Sequence, residues 1–163
     1  MLLEAEKERW VSKTLRTYSR RELSIIGAIL YSCEGTRLRR DRRRENETYH
    51  WVIEFTNSDP LLIKLFLQFL RDIIGVEEKR LKGQLFAYDD LDINDLKIFW
   101  SDCTKISLSN FNKAIVFKAK NGKFKPNPNG TFKVRYYSKE AFQKLNLLIN
   151  NVLSSQGRGT KAA

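Results

Sequence analysis

The chain has 163 residues, 42% of them hydrophobic, which excludes wholesale disorder and fits one domain with a short appendage. Lys and Arg number 30 against 19 Asp and Glu, a formal net charge of +11 that points to a polyanionic partner. No apolar stretch approaches the length of a membrane span, and Glu4 and Lys7 interrupt the start too early for a secretory signal. The expectation is a protein that is not secreted, cytoplasmic in a prokaryote or organellar, with no membrane partner.

Residues 1–19 are rich in Glu, Lys and Arg, with Trp10 and Leu15 as anchors. They read as an N-terminal arm or short helix. Either Lys13 and Arg16 contact phosphates, or the segment is a solvated leader.

Ser19 and Glu22 form a capping box that opens a helix over 20–34. Leu23, Ile25, Ile26, Ile29 and Leu30 go nearly all round it, and a helix apolar on every face is buried on every face. One face packs on the domain's own core, and the other needs a second helix. The chain holds no second copy of the segment, so a homodimer is expected. Gly27, Ala28, Tyr31 and Ser32 are the expected contact; Ala28 and Ser32 share a face, and small side chains admit close approach. The helix ends on Glu34 and Gly35.

Residues 36–44 carry Arg37, Arg39, Arg40, Arg42, Arg43 and Arg44 around Leu38. With Leu38 inward, alternation sends arginines to both faces, as in a ribbon that projects beyond the core. Such a ribbon enters a major groove; the other reading is a solvated loop. After a turn at 45–48, the strand from Tyr49 to Thr56 turns Trp51, Ile53 and Phe55 to the core and His50, Val52 and Glu54 away. His50 is the only histidine, so it reads as DNA-facing or solvent-facing, and Ser-His-Asp or Cys-His chemistry lacks its parts.

Asp59 and Pro60 start a second helix that runs to Ile74 and stops at Gly75. A strand over 79–88 includes Lys82. Asp89, Asp90 and Asp92 follow without the glycine and distant glutamate of a calcium hand, so Asp92 caps a helix over 93–103. Strands at 113–119 and 131–137 then form an antiparallel sheet with an apolar face and a basic-aromatic face. Its basic residues are Lys118, Lys133 and Arg135, joined by Lys120, Lys123 and Lys125 in the connecting loop. Ser138 caps a last helix with a stripe of Phe142, Leu145, Leu148, Ile149 and Val152, and residues 154–163 read as a flexible tail. Cys33 and Cys103 have neither zinc nor redox spacing and read as buried free thiols.

The run Ile25-Ile26-Gly27-Ala28-Ile29-Leu30-Tyr31-Ser32-Cys33-Glu34-Gly35, ending in an acid and a glycine beside a basic strand, resembles the motif of the LAGLIDADG homing endonucleases in their compact single-motif form. Ile53-Glu54-Phe55-Thr56-Asn57-Ser58-Asp59-Pro60 before Leu61-Leu62-Ile63 resembles the strand-to-helix junction of bacterial and archaeal members. The likeness covers residues 21–153, within a domain of 20–153. It departs where the family has glycine or alanine at two positions held here by Ile29 and Cys33.

The resemblance implies an α+β fold of αββαββα plan, with an antiparallel DNA-binding sheet and an extra strand-helix insertion at 79–103. It implies a site-specific double-strand DNA endonuclease, associated with an intron or intein, that acts as a homodimer with Mg²⁺ or Mn²⁺. Glu34 and the Gly35 carbonyl would hold the metal, and Lys133 or Lys139 would assist. From the residues alone, Glu34 is equally a helix-end glutamate. The other function class is a non-cleaving binder of DNA or RNA, a regulator or intron maturase on the same fold.

Overall fold

The computed structural model describes residues 7, 9, 17–36, 39–41, 48–119 and 127–154. The expected arm contacts Lys13 and Arg16, the arginines Arg37, Arg42, Arg43 and Arg44, the loop lysines Lys120, Lys123 and Lys125, and the tail beyond Ser154 lie outside these residues.

The fold is α+β. Helix α1 (Arg20–Glu34) leads to a short ribbon of β1 (Arg39–Asp41) and β2 (Thr48–His50), then β3 (Val52–Asn57). Helix α2 (Pro60–Phe69) widens into a π-helical turn (Leu70–Ile74) and stops at Gly75, whose φ of 81° needs a glycine. After β4 (Lys82–Tyr88) come α3 (Ile93–Thr104), β5 (Ile115–Phe117), β6 (Thr131–Tyr137) and α4 (Lys139–Ser154). Each expected cap is present. Ser19 and Glu22 close their box, Asp59 accepts from the Leu61 N–H, Asp92 from Asn94 and Asp95, and Ser138 from Ala141. No helix among the described residues is long and apolar enough to cross a membrane.

One four-stranded sheet, in the order β3-β6-β4-β5, carries the fold. β6 pairs antiparallel with β3 and with β4, but β5 pairs parallel with β4. The sheet is therefore mixed, not antiparallel as expected. The cause is α3: it carries the chain back across the sheet, and a strand reached by a helical crossover runs parallel to the one before it. β4 is also no added margin, since it lies between β6 and β5. Residues 82–88, expected within an added strand-helix segment, are an inner strand of the sheet, and α3 with β5 stands outside the pairing of β4 with β6.

The core lies between the sheet and its helices. Phe55 stacks on Phe66 at 4.3 Å, Tyr31 on Phe66 at 5.8 Å, and Trp100 on Phe132 at 4.8 Å between ring centres. Helix α1 packs on this layer through Leu23, Gly27, Ala28 and Tyr31, all buried. A Cβ at Gly27 would lie 2.0 Å from Cγ of the buried Phe69 ring. Gly27, Ala28 and Tyr31 are thus spent on the chain's own core, which corrects their expected place in a dimer contact. Only Ser32 of that set is exposed, alongside Ile25 and Ile29, each 41% exposed. Cys33 is exposed too, not buried, while Cys103 is half-buried and burial raises its thiol pKa.

Alanine in place of a helical glycine ordinarily gains about 1 kcal/mol from propensity. At Gly27 the clash with Phe69 outweighs it, because overpacking a dense core costs about 1–3 kcal/mol. Gly27→Ala is expected to lower unfolding stability, as read by urea denaturation.

Candidate nucleic-acid interface

The sheet has two unlike faces. Phe132, Val134 and Tyr136 of β6 point to the helices, as do Ile53 and Phe55 of β3 and Leu85 and Ala87 of β4. The alternate residues form the other face. Strand register sets them in rows: Glu54, Arg135 and Lys82 in one, Thr56, Lys133 and Gln84 in the next, then Thr131 and Phe86. Three of the expected DNA contacts, Lys82, Lys133 and Arg135, therefore share one surface.

Two of these cations are held in place. Arg135 donates from Nε to Oε1 of Glu54, a carboxylate only 8% exposed. The Lys82 ammonium donates to Oδ1 of Asn110 at 2.9 Å. The third, Lys133, has its Nζ 5.0 Å from the centre of the Phe86 ring. Such fixing lowers the rotamer entropy a lysine or arginine must lose on meeting a phosphate. Lys118 is exposed just past β5, and His50 is exposed in register with Arg39, one step from Arg40 opposite Tyr49.

Backbone stitching ties the end of α1 to the sheet. Gly35 bridges Phe55 antiparallel, and the Thr36 N–H donates to the Glu54 carbonyl at 3.0 Å. The Thr36 hydroxyl donates to Oε2 of Glu54 at 3.3 Å, which links the end of α1 to the row of Arg135 and Lys82. The Tyr31 hydroxyl donates to the Thr36 carbonyl at 2.7 Å and locks the turn. Gly35 has ordinary extended φ and ψ, so conformation does not demand glycine there. Space does: a Cβ would lie 2.4 Å from the Tyr31 ring. Glu34 itself is exposed.

Register also separates the two candidate lysines. Lys133 lies on the open face beside Val134, which is paired with Phe55, the partner of Gly35. That puts it two strand spacings, about 10 Å, from the end of α1. Lys139 opens α4, with Nζ 5.4 Å from the Trp51 ring centre; Trp51 in turn packs edge-on against Phe142 on the helix side.

No family model, curated protein or solved structure matches this chain.

Among the described residues, no three His, Cys, Asp or Glu side chains group closely enough to hold a metal ion. Asp92 caps α3, and Asp89 accepts from the Ala119 N–H at 2.8 Å, so the acidic stretch is used in turns. Among the described residues, Glu34 ends α1, and the Glu54 carboxylate adjoins that end through Thr36.

Sequence reasoning missed the role of Glu54. A glutamate on the outward side of a strand reads as solvated, and only its register opposite Arg135 reveals the pair. It also missed the aromatic end of the open face, where Tyr88 and Phe117 meet. The signal was there in Ile115-Val116-Phe117, an apolar run too short to fill two faces of a core.

Burial pushes the Tyr31 hydroxyl from its ordinary 10.0 up to about 12. Tyr31 is neutral when protonated, so its contribution to stability is intact below pH 10 and is lost as the pH rises through 12. Tyr31→Phe is expected to cost about 1 kcal/mol at neutral pH, by loss of the bond to Thr36. It should also remove this share of the alkaline destabilisation, as followed by denaturation at stepped pH.

Proposed function

We propose that the chain is a site-specific, divalent-metal-dependent double-strand DNA endonuclease of the LAGLIDADG homing type, acting as a homodimer. The observation that carries the reading is the placement of Glu34. An exposed carboxylate closes a helix, and hydrogen bonds tie that helix end to a sheet row bearing Arg135 and Lys82. The element order supports it: α1, β1, β2 continued after Trp51 by β3, α2, β4 with β6, and α4 follow an αββαββα plan once α3 and β5 are set aside.

In this reading the open sheet face lies on the duplex. Lys82, Lys133 and Arg135 meet phosphates and base edges, while the β1–β2 ribbon with Arg39 and Arg40 extends the surface. Two chains meet through the outward side of α1, where Ile25 and Ile29 leave apolar surface in water and Ser32 lies on the same exposed side. The meeting would bring two Glu34 carboxylates together. With the Gly35 carbonyls they would hold Mg²⁺ or Mn²⁺, which supplies Lewis acidity toward the phosphodiester when bound. Lys133, on the open face, is the positively charged residue suited to the developing phosphate charge. Lys139, held over Trp51 on the helix side, is not.

A second reading has its own observation. The outward side of α1 carries Ile25 and Ile29, whose branched side chains hold a facing helix further off than glycine or alanine would. If the two acids stand apart, the chain is a non-cleaving DNA-binding or RNA-binding protein with the same basic face.

Glu34→Gln separates the two. Cleavage is expected to fall by at least about a hundredfold in Mg²⁺, while the Kd for the same duplex in Ca²⁺ holds. Equal loss of cutting and binding would remove Glu34 from the proposed role. Light scattering should give twice the 19.1 kDa chain mass; a clean monomer on DNA-free protein would contradict the composite site.

A further inference from the structure

The open face is not basic throughout. Following β4 outward from Lys82, the side chains become Gln84, Phe86 and Tyr88, and β5 sets Ile115 opposite Phe86 and Phe117 opposite Tyr88. Tyr88 and Phe117 meet at 6.2 Å between ring centres, tilted by 56°, and stand 41% and 48% exposed. This aromatic end lies about 20 Å along the sheet from the row of Lys82 and Arg135, at six residues of strand rise. Charges of both signs border it: Lys133 over Phe86 and exposed Lys118 directly after Phe117, with Asp89 and Asp90 following Tyr88 and the Asp89 carboxylate taken up by the Ala119 N–H.

A duplex has no use for such a surface. Stacked, paired bases present edges in the grooves and phosphates outside, and neither fits a bare ring face. An unpaired base does, since every nucleobase offers a π face. We propose that Tyr88 and Phe117 form a stacking platform for unpaired nucleotides of a DNA strand whose duplex part lies on the basic rows. The inference rests on the reading of the open face as the DNA surface. Its chemistry is a backbone phosphate near Lys118 or Lys133 and a base on the Phe117 ring. Stacking of this kind contributes on the order of tenfold in affinity per base.

The test compares two labelled probes of one duplex sequence, one blunt and one with a single-stranded thymidine tail, by fluorescence anisotropy at stepped salt. Wild-type protein should bind the tailed probe on the order of tenfold more tightly. As salt rises, the share of the preference from the tail phosphate at Lys118 or Lys133 should fall while the stacking share persists, because stacking releases no counterions. Phe117→Leu with Tyr88→Leu keeps apolar bulk and removes both rings. It should erase the preference and leave blunt-duplex binding and the circular dichroism spectrum unchanged. Phe117→Trp should retain the preference.

Equal binding of both probes by wild type overturns the platform while leaving the duplex surface standing. Binding of neither probe overturns both. A tail preference that survives the double leucine variant overturns the platform, and a change of oligomeric state in that variant would give the patch to a second copy of the chain.

Discussion

The structure depends on how closely α1 lies against Phe69. Gly27 lets the helix backbone down onto that ring, and Tyr31, one turn on, stacks over Phe66, which stacks in turn on Phe55 of the sheet. The aromatic layer is shared by helix and sheet, so the height and direction of α1 follow from the core. Its far end then has one place to go. Gly35 slides under the Tyr31 ring into a bridge with Phe55, and the exposed Glu34 is the last helical residue before it. A side chain at either glycine would lift the helix and move the carboxylate.

The same constraint sorts the remaining surface of α1. With its small residues turned inward, the helix shows Ile25, Ile29, Ser32 and Cys33 to solvent. Ile25 and Ile29 also line a groove of about 490 Å³ with Leu148, Val152 and Leu153 of α4. Across the sheet, the Glu54–Arg135 pair fixes a cation in the row that Thr36 joins and satisfies a carboxylate that burial would otherwise penalise. Packing on one face of the sheet thus sets the charge pattern on the other. At a net charge of +11, affinity for any nucleic acid will fall steeply with salt, so comparisons between partners have meaning only at fixed ionic strength.

Much of this was legible in the chain. Capping residues Ser19, Asp59, Asp92 and Ser138 each mark a helix start because a side-chain oxygen must answer an orphan N–H, and that need is local. The alternation of Phe132, Val134 and Tyr136 with Lys133 and Arg135 likewise announces two faces. What escaped is what depends on partners distant in sequence. Gly27 and Ala28 could serve a helix of another chain or the chain's own Phe69, and periodicity alone does not choose. Strand direction for β5 is readable in principle, since a helix between two strands is the mark of a parallel crossover, but a lysine-rich loop joining two strand patterns reads equally as a hairpin. Glu54 gave no sign, because its partners are Arg135, 81 residues away, and Thr36 on another element.

The central claim is that Glu34, delivered by α1 to a basic sheet, makes this chain cut the DNA it selects. The most direct measurement selects bound duplexes from a random DNA pool in Ca²⁺, then exchanges Ca²⁺ for Mg²⁺ and maps the ends. The account expects a pseudo-palindromic site, cut on both strands with staggered ends. A recovered site that stays intact in both Mg²⁺ and Mn²⁺ would contradict it and leave a binding protein with an unused acid.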